Sequence, residues 1–315
     1  MTPGDEAAPE TCPCGRAAPA SAQRRFAGAP VDGPRGTPWV DALVVCGACG
    51  VTYLNAPDAP LGGGSRFVGA IEKLVAFARR RRAAWCARLI PPGGQVLDVG
   101  AGRGLFLAEL ARRGFGVRGI EASADYAALA LPEAHVAAGT LSSGWRSDEP
   151  LDLVTFWHSL EHHPAPLTSL RAVAGSMRPG AMLVVAVPNA GSLQARVAGP
   201  LWLHLDLPFH RFHFTPTTLR ALLEDAGFRV ERTWTGQWEM DVLGWLEAVA
   251  GRLGLPRRFL FDALRPGSGH GLGARAAGLA LLAFGTPLAA LAALVCRLTG
   301  SAGSLFVLAR REALA

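Results

Sequence analysis

The residues whose types and spacing could do chemistry fall into four groups. In the first, Asp98 precedes the alternating glycines Gly100, Gly102 and Gly104 in VLDVGAGRGLF. Glycine lets backbone turn with positive φ and approach a ligand closely, and a helix start offers free N–H groups to an anion. A dinucleotide fingerprint would read G-x-G-x-x-G, but Leu105 stands where its third glycine would fall, which disfavours a nicotinamide cofactor. In the second group, His158, Glu161, His162 and His163 crowd the run WHSLEHHP and offer general acids and bases. In the third, His204, Asp206, His210 and His213 lie within ten residues. His204, Asp206 and His210 could hold a divalent metal or form a polar loop over an acceptor; Pro208 and the irregular spacing favour the loop. The fourth is Cys12 and Cys14 in TCPCGR with Cys46 and Cys49 in VCGACG, the second pair being C-x-x-C followed by glycine, the geometry of a zinc knuckle.

Alternating strands and helices must position these groups. Gln95 to Val99 reads as a buried strand entering the glycine turn, with a helix from Leu105 to Arg113 that Gly114 ends. Val117 to Ile120 is a second strand closed by Glu121, which lies 23 residues after Asp98; an acid so placed can accept both hydroxyls of a ribose. His135 to Ala138 is a short third strand and Leu151 to Trp157 a fourth. The histidine run then sits at a strand's carboxyl end, where open α/β sheets bind ligands. Leu167 to Met177 reads as helix, Pro179-Gly180 as a turn and Met182 to Val187 as strand five. Thr215 caps a helix running to Ala226, with Pro216 at its first position, and Phe228 to Thr235 is strand six. Upstream, APLGGG at 59–64 is a hinge, and Arg66 to Leu89 is helical with Phe67, Ile71, Leu74, Val75 and Ala78 on one side. Arg79 to Arg82 wrap round that helix as a solvated face, with contact to an anionic surface as the sharper alternative.

Asp98 with its G-x-G-x-G turn resembles motif I of the class I S-adenosylmethionine-dependent methyltransferases. GIEAS at Gly119–Ser123, the H-x-L-E-H run with its proline loop, H-x-D-x-P-x-H at His204–His210 and the following F-T-x-x-x-L extend the resemblance from Val96 to about Thr235. It implies an α/β, Rossmann-like seven-stranded methyltransferase sheet with helices on both faces. It implies S-adenosyl-L-methionine as cofactor, held by Asp98, Gly100, Ala101, Gly102, Gly104, Glu121, Ala122, Thr140 and Trp157. The expected reaction is methyl transfer to oxygen or carbon of a small-molecule, sugar or lipid-linked acceptor. His162 is the expected base with Glu161 orienting it, and His158 and His210 are alternatives. The cysteines resemble the small zinc-binding module that precedes some sugar and natural-product methyltransferases, typically C-P-x-C-G, then C-x-x-C-G. This chain departs from it in the C-x-C spacing of Cys12 and Cys14. A structural zinc on Cys12, Cys14, Cys46 and Cys49 is expected, with a metal-free module as the alternative.

The same fold ends with a strand antiparallel beside strand six, and Ser304 to Ala309 fits it. Residues 237–303 are then an apolar helical insertion. Its run Ala276 to Cys296 carries no charge, yet its two ends return to one sheet, so a single membrane crossing is excluded. With Pro287 dividing the run in two, the expectation is an in-plane or re-entrant helical hairpin, flanked by Arg252, Arg257, Arg258, Arg265, Arg275 and Arg297. The alternative is an Ala-rich subdomain packed on the core or on a second subunit. The expected domains are a cysteine module at 1–60, a cofactor-binding domain at 61–236, the insertion at 237–303 and the last strand with its tail at 304–315. The cysteine module points to sugar or polyketide-type products, the insertion to a lipid-linked or quinone-like acceptor.

Half the chain is apolar, enough for a sizeable core. The net charge of +6 rests on arginine, Lys73 being the only lysine, and no aromatic-interleaved basic patch marks a nucleic-acid partner. Six cysteines in this length do not make a disulfide scaffold, and Asp5, Glu6 and Glu10 without an apolar run do not make a secretory signal. The expected location is cytoplasmic, with peripheral contact at the inner membrane face. A non-catalytic protein of the same fold, working as a scaffold at a membrane or in a biosynthetic complex, is the competing class. Intact Asp98, the glycines and Glu121 argue for retained cofactor binding.

Overall fold

A computed structural model describes residues 20–21, 43–54, 70–142, 144–256, 258–260 and 271–313. Two short strands, β1 (Ala20–Ser21) and β2 (Leu43–Cys46), join β3 (Thr52–Leu54) in a small antiparallel sheet. Helix α1 (Ala70–Cys86) leads to the main αβ succession: β4 (Gln95–Val99), α2 (Leu105–Ala111), β5 (Gly116–Glu121), α3 (Ala124–Ala128), β6 (Val136–Ala138), β7 (Leu151–Trp157), α4 (Pro166–Ala174) and β8 (Met177–Pro188). There follow α5 (Leu193–Ala198), β9 (Phe212–His213), α6 (Pro216–Asp225), β10 (Phe228–Thr235), α7 (Trp238–Arg252), α8 (Leu272–Leu298) and β11 (Ser304–Arg311).

Seven strands form one sheet in the order β10-β11-β8-β7-β4-β5-β6. All neighbours pair in parallel except β11, which is antiparallel to both β8 and β10, as the sequence led us to expect. Alternation along the strands fills two faces. Val96, Leu153, Met182 and Val184 pack with Ala83 and Cys86 of α1 and Phe106, Leu107 and Leu110 of α2. Leu97, Val99, Val154, Phe156, Leu183 and Val185 pack with Leu170 and Val173 of α4 and Leu219, Leu222 and Leu223 of α6. Both faces of the sheet are buried, so its strands read as nearly continuous apolar runs. The chain moves one way from β4 to β5 and the other way from β7 to β8, which opens a crevice at the carboxyl ends of β4, β5 and β7.

The structure corrects four expectations. Strand five starts at Met177, not Met182: the register steps from Leu151↔Met177 to Leu153↔Met182, so Pro179 and Gly180, the latter at φ +82°, form a bulge inside the strand rather than a turn before it. The third strand begins at Val136, because His135 takes a left-handed conformation at φ +47°. The hairpin expected within 276–296 is instead one continuous helix, α8, that runs through Pro287. The hairpin is made by α7 and α8 together: Leu246 and Ala250 of α7 bury against Ala289, and Gly285 lies so close that a Cβ would sit 2.7 Å from Leu246 Cδ2. Tertiary packing of that small-residue face outweighs the loss of one helical hydrogen bond at proline.

The fourth correction concerns modularity. Strand β9, from the histidine-rich loop, pairs with β3, with Thr52 opposite His213 and Tyr53 opposite Phe212. The expected cysteine module therefore shares a sheet with the loop that approaches the site. Cys46 ends β2 and is buried, and Cys49 lies in the turn after it. Cys12, Cys14, the 59–64 hinge, Arg257 and Arg265 lie outside the described residues.

Candidate active site

The glycine turn joins β4 to α2 and is locked by backbone hydrogen bonds. Gly100 and Ala101 N–H both donate to Ile120 O, and Gly104 N–H donates to Ala101 O. Gly100, Gly102 and Gly104 all take positive φ. A Cβ on Gly104 would lie 2.3 Å from Ala134 Cβ, so this glycine closes helix against sheet. A Cβ on Gly102 would meet nothing within 4 Å, so that glycine faces open space. Glu121, at the end of β5, binds the turn from the other side. Its Oε2 accepts from Gly102 N–H at 2.8 Å and its Oε1 from Ser123 N–H at 3.0 Å. Each oxygen keeps a further lone pair.

Asp98 is buried, and its Oδ1 accepts from Thr155 Oγ1 on β7 at 2.7 Å. Burial pushes its carboxyl up to about 7, with Arg79 and Arg82 opposing the shift and Glu121 adding to it. The arginine run is therefore split. Arg80 and Arg81 are exposed, as expected, but Arg79 and Arg82 turn towards Asp98. The Arg82 guanidinium stands 5.0 Å from the ring centre of Trp157 and 3.6 Å from Glu239. Trp157 also meets Phe106 edge-on, and its indole N–H is buried without a hydrogen-bond partner.

At the carboxyl end of β7 the chain bends through His158, at φ +53°, into a turn of 3-10 helix, Leu160–His162. His158 Nε2 meets Gln237 Oε1 at 2.7 Å, and Gln237 Nε2 donates to Glu239, so the imidazole proton sits on Nε2. His158 Nδ1 is 3.8 Å from Glu161 Oε1. Glu161 is 0% exposed, and neither of its carboxyl oxygens has a hydrogen-bond partner. Burial alone dominates its acidity and pushes it up to about 8, so it is neutral at pH 7. His162 Nδ1–H donates to Phe209 O at 2.8 Å, and His210 Nδ1–H donates to His204 O at 2.7 Å. Both rings thus present an Nε2 lone pair, and their centres are 4.7 Å apart. Burial lowers the basicity of both, which keeps them neutral.

The loop bearing His210 is pinned over this turn. Arg211 N–H donates to Glu161 O at 2.8 Å, and Arg258 reaches Asp206 at 3.1 Å. The metal-ligand set considered from sequence, His204 with Asp206 and His210, is assembled only in part: Asp206 Oδ2 stands 3.9 Å from His210 Nε2. Asp206 is paired with Arg258, and the His204 carbonyl orients His210. The ligand atoms that do converge, all within 4.8 Å of one another, belong to Glu161, His162 and His210. A carboxylate and two imidazoles could hold a divalent cation.

Residues 72–233 match the family model described as a methyltransferase domain. The chain belongs to that family. A ubiquinone biosynthesis O-methyltransferase from Xanthomonas axonopodis pv. citri (strain 306) is 31% identical over 159 residues, 46% of this chain and 66% of that protein. A probable S-adenosylmethionine-dependent methyltransferase from Mycolicibacterium smegmatis is 29% identical over 182 residues, 55% of this chain and 67% of that one. The chain thus spans about two thirds of the length of these relatives. Among solved structures, a candidate sarcosine dimethylglycine methyltransferase from Galdieria sulphuraria shares the fold at TM-score 0.51 and 14% identity, covering 77% of this chain and 88% of that one.

S-adenosylmethionine, the donor named for the Mycolicibacterium relative, is the cofactor of this methyltransferase fold. The residues present fit it: Gly102 borders open space beside a carboxylate that backbone N–H groups already orient, and the glycines that do not border it are plugged by Ser159 and Ala134. Of the nine residues expected at the cofactor, Asp98, the glycine turn and Glu121 converge on one crevice. Ala122 follows Glu121 directly and is exposed, Thr140 lies exposed beyond β6, and Trp157 lines the β7 end. The structure adds Arg82 and Gln237. Arg82 could have been suspected from its place three residues after Arg79, on one helix face. Gln237 carried no signal, because only the fold brings position 237 to His158.

Proposed function

We propose that this chain transfers a methyl group from S-adenosylmethionine to a hydroxyl of a small-molecule acceptor. When bound, S-adenosylmethionine supplies an electrophilic methyl on a good leaving group. The chain must then hold the acceptor, exclude water and remove a proton. In this reading Glu121 would hold the ribose hydroxyls, the glycine turn would hold the nucleoside, and Asp98 with Arg82 and Trp157 would hold the charged end. His162 Nε2 takes the acceptor proton while the Phe209 carbonyl holds its Nδ1–H, and neutral Glu161 and His158 set the shape and polarity of the acceptor side. The observation that carries this is one half-buried, tautomer-fixed imidazole beside a buried, unpartnered carboxyl at the carboxyl end of β7.

The acceptor is of the sugar, quinone-like or lipid-linked class, and the protein works in the cytoplasm with peripheral contact at the membrane. The similarity to a ubiquinone biosynthesis O-methyltransferase supports transfer to oxygen, and the apolar α7–α8 hairpin supports an amphiphilic acceptor. A structural zinc on Cys12, Cys14, Cys46 and Cys49 belongs to the same proposal; metal content after dialysis, with and without chelator, measures it.

Calorimetric titration with S-adenosylmethionine and S-adenosylhomocysteine tests the first half, and absence of binding to both overturns it. The second half is tested by S-adenosylhomocysteine release in a screen of phenols, sugars and polyprenyl-linked acceptors. His162→Ala should cut turnover by about a hundredfold or more while leaving cofactor affinity unchanged. Undiminished turnover removes His162 from its role.

A further inference from the structure

The insertion leaves a large apolar face without cover among the described residues. Phe284, Leu288, Leu291, Val295 and Leu298 recur along α8 at intervals of four, three, four and three, so they form one stripe. Phe284 is 81% exposed, Leu288 72% and Leu298 78%. Leu272 and Leu279, towards the helix start, are exposed as well but lie round the helix from the stripe. The opposite side of α8, with Gly278, Ala289, Ala293 and Cys296, is the side buried in the protein. Helix α8 contains no acidic residue, and its charges are Arg275 near its start and Arg297 near its end. An apolar stripe bracketed by guanidinium groups complements an acyl layer bordered by anionic headgroups.

We infer that this face of α8 docks on an anionic lipid bilayer, with the helix lying in the plane of the interface. The inference rests on the peripheral placement proposed above and names its surface and its lipid chemistry. Length does not make α8 a crossing helix, although it is long and apolar enough for one. Both ends of the insertion return to adjacent strands, β10 and β11, and α7, which carries Glu239, Asp241 and Glu247, packs along α8. A crossing would drag these carboxyls through hydrocarbon.

Docking also brings the membrane to the site. Strand β10 is parallel to β8 by way of the antiparallel β11, so the insertion leaves the sheet at its carboxyl edge. Its first residue, Gln237, is the partner of His158. The hairpin is rooted beside the acceptor side of the crevice, where an amphiphilic substrate held in the bilayer could reach it.

Flotation of the full chain with vesicles tests this. One set is phosphatidylcholine alone, the other phosphatidylcholine with phosphatidylglycerol, two parts to one. Binding is expected to the anionic set, about tenfold weaker to the neutral set and weaker at high salt. The double variant Leu288→Glu with Leu291→Glu should lose vesicle binding, while calorimetry shows its S-adenosylmethionine affinity unchanged. High-pH carbonate washing should release the bound protein. Three results overturn the inference: no binding to anionic vesicles, equal binding by the double variant, or a wild-type dimer in sedimentation that the double variant abolishes, which would mean a second copy covers the face. Vesicle binding by a protein that ignores S-adenosylmethionine would leave the docking face standing and remove the methyl-transfer reading instead.

Discussion

At the scale of single residues, the site is governed by burial more than by charge pairing. Glu161 has no cation against it and no hydrogen-bond donor, so desolvation holds it protonated at neutral pH. Glutamine is nearly isosteric with a protonated glutamate. Glu161→Gln should therefore keep turnover within about threefold of wild type at pH 7. A loss of a hundredfold or more would show that an ionised carboxylate is needed there, as a cation held with His162 and His210 would require, and metal-dependent turnover would then identify that cation. The motif around Glu161 was legible because four ionisable residues rarely crowd a strand end. Their tautomers were not, since each depends on a carbonyl or amide from a distant stretch: Phe209 for His162, His204 for His210 and Gln237 for His158.

At the scale of elements, the strand–glycine turn–helix unit separates a fold role from a ligand role. Gly104 is packed against Ala134, whereas Gly102 borders open space. Gly104→Ala should destabilise the protein by about 3 kcal/mol, through collision added to a left-handed backbone. Gly102→Ala should cost only about 1 kcal/mol in chemical denaturation yet weaken S-adenosylmethionine binding at least about tenfold. Equal effects at the two positions would contradict this division. The insertion hairpin has a comparable anchor in Asp241, which accepts from Gln237 N–H at 2.7 Å and Gly303 N–H at 2.9 Å and so ties together both ends of the insertion. Burial raises its pKa from 3.8 to about 6. A raised value means that the folded state holds its proton longer than the unfolded chain. Its share of stability is full below about pH 4 and is lost as pH rises through about 6. Melting curves from pH 4 to pH 7 should then show wild type losing ground to Asp241→Asn, by on the order of 2 kcal/mol. A constant difference across that range would show that the carboxyl titrates alike in both states.

At the scale of the whole molecule, a ligand that binds only the folded crevice must stabilise it by mass action. S-adenosylmethionine at a hundred times its dissociation constant should add about 2.7 kcal/mol, seen as a melting shift of several degrees, and NAD should add none. A shift with NAD alone would reverse the reading of Leu105. The antiparallel last strand was implied by the family resemblance; what the sequence by itself determined were the local and periodic features: the alternation that buries both sheet faces, the turn at Gly100–Gly104 and the capped helix after Thr215. Each is written in neighbouring residues or in a strand's length, so hydrophobic period and turn chemistry suffice to read it. What only the tertiary structure decided were the long-range meetings: Arg82 against Trp157, Gln237 against His158, and β9 against the cysteine-bearing strands. The continuity of α8 through Pro287 belongs with them. These contacts depend on where distant segments settle in three dimensions, and on packing strong enough to override a local breaker, neither of which a single stretch of sequence encodes.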